Sequence, residues 1–95
     1  MEHLYLVCYD IRDDKRWRRL YTAMKAYGEW LQLSVFQCRL NRIRRLRMEE
    51  AVRKIIDHQD DHVLILDLGP AEGVQPKVMS LGKPYRPIPK EPVIV

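Results

Sequence analysis

A chain of 95 residues, 46% of them apolar, can build one domain around one modest core and is too apolar to remain disordered. Its apolar runs are only strand-sized and its N-terminus lacks a basic-then-apolar leader, which argues against a membrane span or a signal peptide and for a cytoplasmic protein. The net charge of +4 is uneven: residues 12–54 hold 13 of the 17 Lys and Arg and sum to +8, against −4 for the rest, a density that points to a polyanionic partner or, more plainly, to solvated helix faces.

Residues 3–9 (HLYLVCY) are β-branched and aromatic enough to predict a buried strand, which ends at an acidic residue, Asp10. Asp13 is placed to cap a helix with Asp14 in its first turn, running to about residue 27 and stopping at Gly28. Trp17, Leu20, Tyr21, Met24 and Tyr27 form its core stripe, and Arg12, Arg16 and Arg19 lie off it, free for solvent or phosphate. In residues 30–40 the alternation Leu31, Leu33, Val35 changes phase to Phe36, Cys38, Leu40. A change of one residue predicts two short strands with a bulge or tight turn near Ser34. Cys8 and Cys38 sit alone in apolar runs, as buried reduced thiols do, and not as a disulfide framework.

Asn41 caps a second helix to about residue 57, buried through Met48, Ala51, Val52, Ile55 and Ile56. Glu49 with Arg45 and Arg53, and Glu50 with Lys54, are spaced to pair on its exposed side. Arg42, Arg44 and Arg45 crowd the helix N-terminus, where the dipole disfavours cations; a bound anion or simple solvation would relieve this. Residues 62–68 (HVLILDL) read as a buried strand ended by Gly69 and Pro70, and a short strand follows over residues 77–81. From residue 83 the tail carries Pro84, Pro87, Pro89 and Pro92 and ends in the β-prone run 92–95.

The order β-α-β-β-α-β predicts an α+β, ferredoxin-like sandwich: one antiparallel sheet with two helices on one face. Its domain spans residues 1–82, and 83–95 form an extended tail able to pair with a partner subunit. The strands look apolar on both sides, so a second copy is expected on the uncovered face.

Asp10 carries the chemistry. A carboxylate at a strand end beside arginines suits a hard cation and a phosphodiester; alternatively it only starts the strand-to-helix turn. Asp13 and Asp14 are better explained as helix caps than as ligands. Arg12, Lys15, Arg16, Arg18 and Arg19 are the candidate phosphate contacts, with Arg42, Arg44, Arg45 and Arg47 as a second patch. Tyr9 and Phe36 could stack or orient groups near a metal, with core packing as the plainer role. His58 and His62 flank Asp60 and Asp61 in what reads as a polar loop before a strand, not a zinc cluster. Cys8 and Cys38 lack a placed base and are not nucleophiles.

Several segments carry a resemblance: YDI at 9–11, RDDKRWRRL at 12–20, YGE at 27–29, LSVFQC at 33–38 and SLGKP at 80–84. In this order and spacing they resemble the CRISPR-associated endoribonuclease two family, the small core protein of CRISPR spacer acquisition in prokaryotes. The resemblance implies a ferredoxin-like homodimer in which Asp10 approaches its twin across the dimer axis to form a magnesium (or manganese) site. It implies a metal-dependent endonuclease for single-stranded RNA or duplex DNA. It also implies a bridge in the complex with the CRISPR adaptation integrase, holding duplex DNA by its backbone, with the terminal strand pairing to a partner. The sequence departs from the family where Gln37 replaces a frequent Glu and Trp30 a frequent basic residue.

Paired Asp10 carboxylates would repel, so a bridging cation or a retained proton is required. Mg²⁺ fits few protein ligands and several waters, and would polarise a phosphoryl oxygen or supply hydroxide. Two readings therefore stand, a metal-dependent endonuclease and a non-enzymatic DNA scaffold. A generic ferredoxin-like RNA-binding module is the third, disfavoured because the strands lack an exposed aromatic platform.

Overall fold

The structure, a computed structural model, describes residues 1–74 and 79–82. Strand β1 (His3–Asp10) leads to helix α1 (Asp14–Met24), strands β2 (Glu29–Gln32) and β3 (Val35–Leu40), helix α2 (Arg42–Ile55) and strand β4 (His62–Pro70), then a 3-10 turn over Ala71–Gly73. The strands form one antiparallel sheet in the order β2-β3-β1-β4, and both helices pack on one face, the expected ferredoxin-like sandwich.

Both helices start where the side chains dictate. The Asp13 carboxylate accepts from Arg16 N at 2.9 Å, and Asn41 Oδ1 accepts from Arg44 N at 2.8 Å, each satisfying a donor left free by the first turn. Helix α1 ends three residues earlier than the apolar stripe predicts. Ala26 N bonds Ala23 O and Tyr27 N bonds Met24 O, so the stripe continues through tight turns to Gly28. A side chain at Gly28 would collide with Cys38 Sγ and Gln37 O, which is why glycine stands at this crossing onto β2. Helix α2 stops at Ile55 because Ile56 is already extended (ψ 155°).

The β2–β3 hairpin turns at Leu33 and Ser34, with a register shift between Trp30 and Gln32, as the change of phase predicts. Two indoles pin it: Trp30 Nε1 donates to Leu33 O at 2.9 Å and Trp17 Nε1 to Ser34 Oγ at 3.0 Å. They hold Leu33 at φ +33°, a conformation that disfavours an L side chain.

Alternation along β1 divides the sheet. Tyr5, Val7 and Tyr9 face the helices and join Leu20, Met24, Phe36, Cys38, Leu40, Met48 and Val52 in the core. Leu6, Cys8 and Asp10 occupy the other face, opposite Leu66, Leu64 and His62 of β4. Leu64, Leu66 and Leu68 there are 51%, 42% and 41% exposed, so the face that the described residues leave uncovered is apolar, as the strand patterning predicts. Val35 and Leu31 extend it towards the hairpin, with Met79 and Leu81 alongside.

Met79, Ser80 and Leu81 are exposed and outside any strand, which corrects that part of the strand expected over 77–81; Lys77 and Val78 lie outside the described residues, as does the tail from residue 83. The Arg45–Glu49 pair forms at 2.7 Å, whereas Glu50 meets Arg53 at 3.9 Å in place of the expected Lys54. Among the described residues no helix is long and apolar enough to cross a membrane.

Candidate metal and nucleic-acid site

Asp10 is the last residue of β1, and its side chain stands on the uncovered face, 68% exposed. Directly opposite it on β4 is His62, also exposed. The Arg12 guanidinium is 4.0 Å from the Asp10 carboxylate and 71% exposed, a loose contact that leaves it free to swing to a phosphate. An accessible carboxylate with no hydrogen bond from the described residues fits a hard divalent cation that keeps most of its waters. Among the described residues no group of three or more His, Cys, Asp or Glu could hold a metal.

What fixes the segment after Asp10 is a residue the sequence reading placed in a polar loop. The Asp61 side chain is fully buried and accepts four hydrogen bonds. Its Oδ2 takes Arg16 Nε at 2.7 Å and Asp57 N at 2.8 Å; its Oδ1 takes Arg12 N at 2.9 Å and Arg16 Nη2 at 3.2 Å. The Arg16 hydrogen bonds, outweighing the opposing effect of burial, hold the Asp61 carboxyl well below the usual carboxylate range, with the two backbone amides adding to them. Asp61 thus ties the β1–α1 turn to the start of β4, one residue before His62.

This corrects the expectation that Arg16 is free for phosphate: its fork is spent on Asp61 and only 25% of its side chain is exposed. Arg12, Lys15, Arg18 and Arg19 remain exposed at the start and outer side of α1. The second patch divides. Arg42 and Arg47 are exposed. Arg45 is held by Glu49. Arg44 donates to Ala26 O at 2.6 Å and lies over the Tyr27 ring, neutralising the carbonyl end of α1.

Tyr9 and Phe36 are in the core, 6% and 0% exposed, with ring centroids 6.3 Å apart. This corrects their candidacy near the metal: Tyr9 points to the opposite face of the sheet from Asp10, as adjacent strand residues must. Its hydroxyl is buried and finds no hydrogen-bond partner among the described residues, and burial, aided by Tyr21, pushes its pKa far up. Burial likewise raises the Cys38 thiol to about 12, against any nucleophilic role. Asp13 caps α1 as expected, and His58 Nε2 lies 3.1 Å from Arg53 O, in the polar loop.

Residues 2–72 match the family described as CRISPR associated protein Cas2. The chain belongs to the Cas2 family. A CRISPR-associated endoribonuclease Cas2 of Geobacter sulfurreducens is 63% identical over 95 residues, all of both chains. A CRISPR-associated endoribonuclease Cas2 1 of Rhodospirillum rubrum is 52% identical over 94 residues, 99% of this chain and 92% of the relative. Among solved structures, a hypothetical protein of Thermus thermophilus aligns with a TM-score of 0.75 at 34% identity, covering 92% of this chain and 99% of that one. The Cas2 of Streptococcus pyogenes aligns with a TM-score of 0.66 at 26% identity, covering 79% and 99%. A CRISPR-associated role follows from membership in the Cas2 family. Trp30 and Gln37, the two departures from the resemblance, stand on strands other than that of Asp10. Trp30 stacks edge-on against Tyr21 on the helix side, and Gln37 sits opposite Leu6 on the uncovered face.

Proposed function

We propose that this protein acts in spacer acquisition as a homodimer closed over its apolar sheet face, binding duplex DNA by its backbone and carrying a divalent-metal centre at paired Asp10 that hydrolyses phosphodiesters. The observation that carries the reading is the position of Asp10, an exposed carboxylate at the end of the same uncovered face that exposes Leu64, Leu66 and Leu68. A two-fold axis near that end brings both carboxylates to one cation. When bound, Mg²⁺ or Mn²⁺ would polarise a phosphoryl oxygen and lower the pKa of a water. The chain's own part is to anchor the cation through Asp10, to fix the following turn through Asp61, and to hold phosphates through Arg12, Lys15, Arg18 and Arg19. These side chains touch no bases in such a mode, so binding is independent of sequence and weakens with salt.

One observation favours a second reading, a scaffold for the adaptation integrase without catalysis: among the described residues Asp10 belongs to no group of three or more His, Cys, Asp or Glu, which is sparse for a nuclease. The RNA-binding module is disfavoured, because Tyr5, Tyr9 and Phe36 all face the helices and, among the described residues, leave no stacking platform on the open face. Duplex DNA and single-stranded RNA incubated with protein in Mg²⁺ or EDTA, beside Asp10→Ala, decide between the first two. Cleavage that needs both metal and Asp10 establishes the nuclease. Equal inactivity of both proteins, with salt-sensitive DNA binding that Arg18→Glu with Arg19→Glu abolishes, establishes the scaffold. Metal-dependent cleavage that survives Asp10→Ala refutes the assignment of Asp10.

A further inference from the structure

The β1–β4 register sets one histidine apart. Of the three in the chain, His3 Nδ1 lies 2.9 Å from Asp67 and His58 is engaged with Arg53 O. His62 has no partner among the described residues, is exposed, and stands directly opposite Asp10 on the uncovered face. Directly opposed residues of an antiparallel pair have Cβ atoms about 4.5–5.5 Å apart, a gap that one ion about 2.1 Å from each donor atom can span. The pair is also pre-positioned from both sides. Asp61, the neighbour of His62, holds Arg12 N two residues beyond Asp10.

The geometry points to His62 as a second protein ligand beside Asp10, which makes the centre a mixed carboxylate–imidazole site that takes a first-row transition cation, Mn²⁺ included, in preference to Mg²⁺. This rests on the metal reading of Asp10 and adds to it the ligand that decides which metal is held. One subunit offers two donors, too few for a closed site; two subunits offer two carboxylates and two imidazoles. Imidazole suits first-row transition metals, Fe²⁺, Ni²⁺ and Zn²⁺ most strongly; Mn²⁺, at the weak end of that series, still accepts a nitrogen donor more readily than Mg²⁺, which takes oxygen ligands. Neither a one-residue motif nor spacing marks His62 for this role. Only the strand pairing, which joins positions 10 and 62, does so.

The test uses the full chain without a histidine tag, stripped of metal and titrated with Mn²⁺, with bound ion followed by electron paramagnetic resonance and nitrogen coordination by its pulsed form. The expected result is bound Mn²⁺ with imidazole ¹⁴N modulation that His62→Gln removes. The same substitution weakens Mn²⁺ binding by about tenfold or more, since even outer ligand partners cost that much, while Mg²⁺ competition changes far less. His62→Asp, an all-oxygen site, retains the ion and reverses the preference towards Mg²⁺. It covers the case in which His62→Gln does not fold. Mn²⁺ bound with Asp10 dependence but without ¹⁴N modulation, or with equal affinity in the His62 variants, overturns the role of His62 and leaves Asp10 standing. Mn²⁺ binding that is absent, or unchanged by Asp10→Asn, overturns both.

Discussion

Replacing Asp61 by Asn changes one oxygen to an NH₂ group and almost nothing in volume, so it isolates the acceptor role of this buried carboxylate. Each oxygen serves two donors: Arg16 Nε and Asp57 N on Oδ2, Arg12 N and Arg16 Nη2 on Oδ1. Whichever way the amide turns, two of the four donors then face another donor. Each lost partner costs about 1–1.5 kcal/mol, and water reaching the quarter-exposed Arg16 trims the sum to about 2 kcal/mol. With a urea slope of about 1 kcal/mol/M for a chain of this size, the unfolding midpoint falls by about 2 M at fixed protein concentration. The pH dependence has a definite sign. The Asp61 carboxyl lies below its usual range in the folded state, so its stabilisation is complete above the unfolded value of about 3.9 and is lost as pH falls through the folded value. The gap between wild type and Asp61→Asn therefore narrows below about pH 4. A variant within about 0.5 kcal/mol of wild type at pH 7, or a gap constant from pH 7 to pH 3, would refute the clamp.

Three further outcomes follow from the packing. Leu64→Lys with Leu66→Lys places two charges on the uncovered face without touching the core; sedimentation should show monomer in place of dimer, and an unchanged dimer removes this face as the interface. Tyr9→Phe deletes a buried hydroxyl without a partner among the described residues, so thermal unfolding should shift by nothing or upward, by up to about 1 kcal/mol; a loss larger than that means the hydroxyl is satisfied in solution. Gly28→Ala forces a methyl against Cys38 Sγ and Gln37 O, of which the backbone carbonyl cannot yield, and should cost about 1–3 kcal/mol in urea unfolding; a neutral result means α1 and β3 separate freely at this crossing.

What was legible in the sequence was local. Helix caps at Asp13 and Asn41 depend on a side chain reaching three residues ahead, and the hairpin near Ser34 on a change of alternation within one segment. Fold class followed because strands and helices in that order have few ways to bury their apolar sides. Asp10 was visible for the same reason, as an acidic residue closing an apolar run. What was not legible depends on partners far apart in the chain. Arg16 looked free because nothing within a helical turn claims its guanidinium; the residue that does lies 45 positions away. Asp61 looked like loop solvation because a carboxylate before a strand carries no mark of whether it is covered. Tyr9 and Phe36 sit beside Asp10 in sequence or sheet, yet strand alternation sends their rings to the opposite face, where they can only pack. His62 shows how the two kinds of information combine. Its neighbour Asp61 is consumed in holding the turn, and the pairing that turn stabilises is what sets an uncommitted imidazole across from an exposed carboxylate. The same carboxylate that engages Arg16 thereby fixes the turn that follows Asp10.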